Sequence, residues 1–270
     1  MNFIAAMPMY DPPEERTAVD ATWRQLRDAL RQRGIPAPQT LARRNADLPP
    51  IPGGIRDTAG TLIAPDPATL PPDALDLHTL WRHPALLWGE TCWGPLDRGL
   101  KPFVHVVGQN SYDGLTGGNG PLYRSALVAP RHRGEEPDVP PDPSGVPRLP
   151  PLAGRRFAFN APDSRSGYLA LERDLRARGD SMALFSSTIQ TGSHLASLHR
   201  LAAGEADLAA IDCRSWALAR RHHPSLTARL RVTGWTSPAT GLPFICSAHL
   251  PQGMRHAIAD AARCRQPSTS

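Results

Sequence analysis

The sequence predicts an α/β protein, and three observations carry that prediction. Apolar residues make up 40% of the 270 residues and charged residues 20%, a balance that permits a packed core and is unlike that of disordered chains. Between Arg156 and Val232, short apolar runs alternate with helical periods over short connections, the signature of a sheet flanked by helices. A unit of the same kind opens the chain, with a strand at Phe3 to Met7 followed by a helical pattern. The length suits either one large domain or two lobes of ordinary size.

In chain order, Val19, Trp23, Leu26 and Leu30 recur at helical spacing until Gly34 stops the first helix. Pro and Gly then crowd Leu48 to Pro72 and again Ala129 to Pro151, where no period survives, so both stretches read as loops or insertions. Leu86 to Trp88, Phe103 to Val107 and Tyr123 to Val128 are short strand candidates separated by glycine-rich turns. Phe157 to Phe159 is the next strand, followed by a helix with Tyr168, Leu171 and Leu175 on one face. Met182 to Phe185 reads as another strand, followed by a helix with Leu195, Leu198 and Leu201 on one face. Leu208 to Ile211 leads into a helix around Trp216 to Ala219, and Leu230 to Val232 closes the series.

In a doubly wound sheet, ligands sit beyond the carboxyl ends of the strands, so the strand-to-helix loops are where function is expected. The first such loop, Asn160 to Tyr168, places Ser164, Arg165, Ser166 and Gly167 at a helix start, where free backbone N–H groups attract anions. The second reads Thr191-Gly192-Ser193-His194 at another helix start, and the third ends its strand on Asp212. A plainer reading stands beside each, because Ser and Asp before a helix are preferred caps whatever else they do.

Several classes are disfavoured. The net charge of +5 is almost wholly arginine, since Lys101 is the only lysine. Basic residues are scattered in pairs such as Arg43-Arg44 and Arg220-Arg221, without the stripe interleaved with aromatics that marks a nucleic-acid surface. Cys92, Cys213, Cys246 and Cys264 lack a C-x-x-C pair, and His222-His223 have no partner at metal-ligand spacing, so neither a disulfide framework nor a metal or other cofactor is expected. No apolar run is long enough to cross a bilayer, and direct membrane insertion is not expected. The first residues lack a basic n-region and an h-region, which places the chain as written in the cytoplasm, or outside it if the true start lies upstream.

Several segments together resemble the phosphate/phosphite/phosphonate substrate-binding proteins of ABC transporters. They are Ser164-x-Ser-Gly-Tyr168, Thr191-Gly-Ser-His194, Gly204-x-x-Asp-x-Ala-Ala-Ile-Asp212 and Gly234-Trp-Thr-x-Pro with Gly241-Leu-Pro-Phe244. Pro8-Met-Tyr-Asp11 and Leu86-Leu-Trp-Gly-Glu-Thr-Cys92 extend the likeness to the front of the chain. It departs from the family at Trp93-Gly94-Pro95, where a Gly-aromatic-Pro order is usual, and at Glu90, a negative charge beside an anion site.

The resemblance implies a two-lobed type 2 periplasmic-binding-protein fold, each lobe a mostly parallel sheet flanked by helices. Lobe I would comprise 1–129 with 243–270 and lobe II 130–242, with hinge crossings near Leu127 to Arg131 and Gly241 to Ser247. A helix from Pro251 to Cys264 would complete lobe I. Such a protein closes on a small phosphate- or phosphonate-like anion, with an ABC permease as its partner. Carried over position by position, Tyr10, Thr91 and Cys92 line one side of the cleft. Ser164, Ser166, Gly167, Tyr168, Ser193, His194 and Asp212 line the other, with Arg165 adding charge. Two other classes stay open. One is an enzyme on the same scaffold with Cys92 as nucleophile and His194 or Asp212 as acid/base, and the other is a sensor domain that hands its closed state to a partner.

Overall fold

A computed structural model describes residues 2–132 and 137–263 of the chain. Cys264 and part of the second Pro-rich stretch lie outside the described residues. The chain forms two compact units, Met1–Asn110 with Leu242–Ser270, and Ser111–Gly241.

In the first unit a four-stranded sheet runs in the order Ile4–Ala5, Leu86–Glu90, Pro243–Ser247, Val104–Gln109. Every residue of Leu86–Glu90 is buried, as a strand covered on both faces requires. Successive residues of Pro243–Ser247 serve opposite faces. Ile245 packs with Ile4, Leu80, Trp81 and Leu96, while Phe244 and Cys246 join Trp23, Leu26, Leu30, Trp88 and Ile258. The helix Arg16–Gln32 buries Trp23, Leu26 and Leu30 as its periodicity predicts, and it ends before Gly34, whose φ of 76° is left-handed and costs glycine little. The helix Gln252–Arg263 covers the same face through Ile258 and Ala261.

The second unit holds a five-stranded sheet in the order Ser187–Gln190, Arg156–Phe159, Leu208–Asp212, Ser125–Pro130, Leu230–Trp235. Its first three strands are parallel and the last two join antiparallel. Leu127, Phe157, Leu171, Leu175 and Leu208 form the core of one face.

The expected sheets of mostly parallel strands are found, with one reversed strand in each, because Pro243–Ser247 and Ser125–Pro130 each run against both of their neighbours. Three expectations are corrected. Ser125–Pro130, expected near the first crossing, is instead an inner strand of the second sheet, and the first unit gives way to the second after Asn110. The strand expected at Met182 to Phe185 is a single tight turn, Met182–Leu184, capped by Ser181, whose Oγ accepts from Ala183 N at 3.3 Å. The apolar signal there came from Phe185, which stacks on Phe157 at 4.9 Å. The strand follows at Ser187–Gln190, an edge strand with mostly exposed side chains and no apolar alternation to reveal it.

The described parts of the Pro-rich stretches are also held in place by specific contacts. The first contains a hairpin, Ile55–Arg56 with Leu62–Ala64, and is tied down by buried His83, whose Nε2 lies 3.0 Å from the Pro49 carbonyl. Described residues of the second lie along the outer strand Leu230–Trp235. Val139 N donates to Val232 O at 2.9 Å, and Arg148 and Trp235 exchange two backbone bonds of 2.8 Å, so the strand's free edge is covered.

Candidate functional site

Three strand ends of the second unit bring their loops together. The first loop turns at Ser164, whose carbonyl accepts from both Tyr168 N at 3.2 Å and Leu169 N at 3.0 Å, so Arg165–Leu169 opens as a wide π-type turn of the kind common at functional sites. Ser164 Oγ accepts from Gly167 N at 3.1 Å, capping the turn. Gly167 gives the Asn160 side chain its room, because a Cβ there would lie 1.8 Å from Asn160 Oδ1 and would force that amide to move. Ser164 and Ser166 are both buried, 3.5 Å apart at their hydroxyls. Arg165 is half-buried beside them.

The second loop is held to the first. Thr191 N donates to Phe159 O at 2.8 Å and Gly192 N to Asn160 O at 3.0 Å, while Thr191 Oγ1 reaches Ser197 Oγ at 2.7 Å. Ser193 then caps the helix His194–Ala202 through Ala196 N and sets His194 in its first turn. The third strand ends on Asp212, buried to 3% exposure. Its Oδ1 accepts from Arg214 N at 3.0 Å and Ser215 N at 2.9 Å, capping the helix Cys213–His222.

The convergence point is His194. Its Nε2 lies 3.0 Å from Ser166 Oγ and 3.3 Å from Asp212 Oδ2. An ionised carboxylate only accepts, so the hydrogen belongs on Nε2, and the Ser166 O–H is left to donate elsewhere. One ring nitrogen faces both partners, whereas a Ser-His-Asp relay needs the two nitrogens on opposite sides of the ring. The arrangement is therefore not that of a proton relay through the imidazole. Burial pushes the His194 pKa below the usual histidine range, against the opposing pull of the Asp212 carboxylate and the Ala210 backbone.

Of the other expected residues in this unit, Tyr168 packs its ring on Phe159 at 4.9 Å, and Ser193 is exposed with its hydroxyl spent on the cap. Sequence reasoning missed Ser125. Fully buried, it lies opposite Asp212 in the ladder and donates from Oγ to Ser166 O at 3.0 Å, with its own N–H on Thr236 Oγ1. Only pairing across 41 and 111 residues of sequence creates that support.

In the first unit, Tyr10 and Cys92 are nearly buried and Thr91 fully so. The loop after Tyr10 is fixed by Arg43, which holds Asp11 with contacts of 2.6 and 3.1 Å and Asp20 with one of 2.8 Å. Glu90 is buried, accepting from Asn110 Nδ2 at 3.2 Å and Met9 N at 3.4 Å. Burial pushes the Cys213 and Cys246 thiols up to about 12. Among the described residues, no group of three or more His, Cys, Asp or Glu side chains could hold a metal, and no helix is long and apolar enough to cross a membrane.

Comparison with known proteins follows the same lines. The family described as ABC transporter, phosphonate, periplasmic substrate-binding protein matches residues 97–263, more than half of the chain. No curated protein sequence matches. Among solved structures, PhnD1 from Prochlorococcus marinus in complex with methylphosphonate is similar at a TM-score of 0.61 and 16% identity, covering 96% of this chain and 83% of that one. A Xanthomonas citri protein bound to chloride ion gives 0.59 and 14%, covering 96% and 82%. A binding protein component of an ABC phosphonate transporter from Pseudomonas aeruginosa gives 0.56 and 16%, covering 96% and 72%. These likenesses establish the two-lobed type 2 periplasmic-binding-protein fold.

Proposed function

Because the chain belongs to the family of periplasmic substrate-binding proteins of phosphonate ABC transporters, we propose that it holds a small phosphonate- or phosphate-like anion at Ser164, Ser166 and His194. The family is one of transport components and not of enzymes. The observation that carries the ligand reading is the meeting of Ser166, His194 and Asp212 beside the helix start that Ser164 caps. The hydroxyls of Ser164 and Ser166 and the first N–H groups of that turn are donors of the kind that bind tetrahedral oxyanions. Arg165, at the mouth of the same turn, adds positive charge. Asp212 is the counterweight, since its carboxylate would repel the anion were it not occupied by His194 Nε2 and two helix N–H groups.

The methylphosphonate named for the Prochlorococcus relative is the first ligand to try. Purified protein is to be heated with methylphosphonate, phosphate, phosphite and sulfate in turn. A Tm that climbs with the logarithm of one anion's concentration is the expected result, and no response to any of the four overturns the reading. An ABC permease is the partner that this role requires, and the periplasm is where the family works. Release of the native protein from cells by osmotic shock tests that location, and retention with cytoplasmic markers overturns it.

A further inference from the structure

Two helices begin at the candidate anion site, and each carries an arginine that reaches a segment where the chain leaves the second unit. On Cys213–His222, the Arg214 guanidinium donates to the Ser111 carbonyl and lies 4.9 Å over the Tyr112 ring. Ser111 is the first residue of this unit. On Ala170–Arg176, Arg173 donates to Ser237 O at 3.0 Å and Pro238 O at 3.3 Å, and the neighbouring buried Asp174 accepts from Ser237 N at 2.6 Å. Ser237 and Pro238 lie just before Gly241, the last residue of the unit.

Tyr112 joins the two exits. It is fully buried, stacks on Tyr123 at 5.1 Å, and takes Gly120 O with its N–H at 2.8 Å. A Cβ at Gly118 would lie 2.1 Å from the Tyr112 carbonyl oxygen, and one at Gly241 would lie 2.3 Å from its ring. Gly241 N in turn donates to Pro121 O at 2.8 Å. A side chain packed this closely shifts only if its neighbours shift with it.

We propose that Arg214 is a positioning residue that couples the Ser166, His194 and Asp212 site to the Ser111–Tyr112 exit segment. The path is short. Asp212 fixes the Arg214 backbone through its cap and faces His194 with its other oxygen, so a change at the imidazole is felt at the residue whose guanidinium holds the exit. Arginine suits the task because its planar fork can stack on a ring and donate in plane at once, which an ammonium cannot do. The coupling rests on the anion-site reading for its purpose, but its existence can be tested without ligand.

The test is hydrogen exchange, read by fragment, in the whole protein and in the variants Asp212→Ala, Arg214→Met and the double variant. Asp212→Ala should speed exchange across 111–120 by about fivefold, and the same change made in Arg214→Met should add less than about twofold. The Arg156–Phe159 strand serves as the control. An equal acceleration in both backgrounds, or none at 111–120 in either single variant, overturns the proposal, because a residue with a merely structural role gives additive effects. If Asp212→Ala does not fold, His194→Gln takes its place and is read in the same way. Added methylphosphonate should slow exchange at 111–120 in the parent protein and not in Arg214→Met, and equal slowing in both also overturns it. If the parent binds none of the four anions, the ligand reading fails, while the ligand-free comparison still decides the coupling.

Discussion

Ser166 and His194 meet at 3.0 Å across 28 residues of sequence, hydroxyl to ring nitrogen, with the Asp212 carboxylate 3.3 Å from the same nitrogen. The geometry leaves the serine hydrogen available and anchors the imidazole through the same nitrogen. It supports binding of an anion more directly than any single loop does.

The two residues should act as a unit. Ser166→Ala should weaken binding of the anion identified by thermal shift by about 1.5–3 kcal/mol, the scale of a hydrogen bond to a charged group, and His194→Ala should weaken it as well by removing the ring that holds Ser166 and Asp212 in place. The double variant should lose clearly less than the sum, because the pair is in direct contact. Titration calorimetry on the four proteins measures this, and strict additivity would separate the two roles.

His83 should make stability depend on pH. Its Nδ1 accepts from Ala85 N at 3.1 Å and its Nε2 faces the Pro49 carbonyl, so the folded state holds the neutral ring. Burial lowers its pKa below the usual value of 6.5. The unfolded chain therefore binds the extra proton first. The stabilisation is complete above about pH 6.5 and falls as pH drops below it, at up to about 1.4 kcal/mol per pH unit. His105 and His194 are shifted the same way, so the measurement is the difference in Tm between the parent and His83→Gln from pH 7.5 to 5. A difference that does not shrink as the pH falls would contradict the assignment.

Gly234→Ala should destabilise the second unit by about 1–3 kcal/mol through overpacking. The new Cβ would lie 2.0 Å from the Arg148 carbonyl oxygen, a backbone atom held by the paired Arg148 and Trp235 bonds. Chemical denaturation with unchanged m-value checks it.

Cys213 and Cys246, fully buried and with thiols raised to about 12, should not react with a thiol reagent at pH 8 until the protein unfolds, since the thiolate is the reactive form. Mass spectrometry of labelled peptides under native and denaturing conditions distinguishes them. Native labelling of either would show that its burial is transient.

Much of the fold was legible in the sequence because its signals are local. Trp23, Leu26 and Leu30 declare one helix face, Leu208 to Ile211 a buried strand, and Ser164, Ser193 and Asp212 the helix starts that follow strands. These also marked the loops that meet at the candidate site, and the resemblance they support was met by the family match. Ser187–Gln190 escaped because an edge strand with exposed polar side chains has no period to read, and Phe185 drew the strand to itself by being apolar. Strand direction and partner, the support of Ser166 by Ser125, and the reach of Arg214 to Ser111 were decided by the tertiary structure alone. Each depends on which segments pair across tens or hundreds of residues, and that choice is made by burial and hydrogen bonding over the whole chain, leaving no mark on any local stretch.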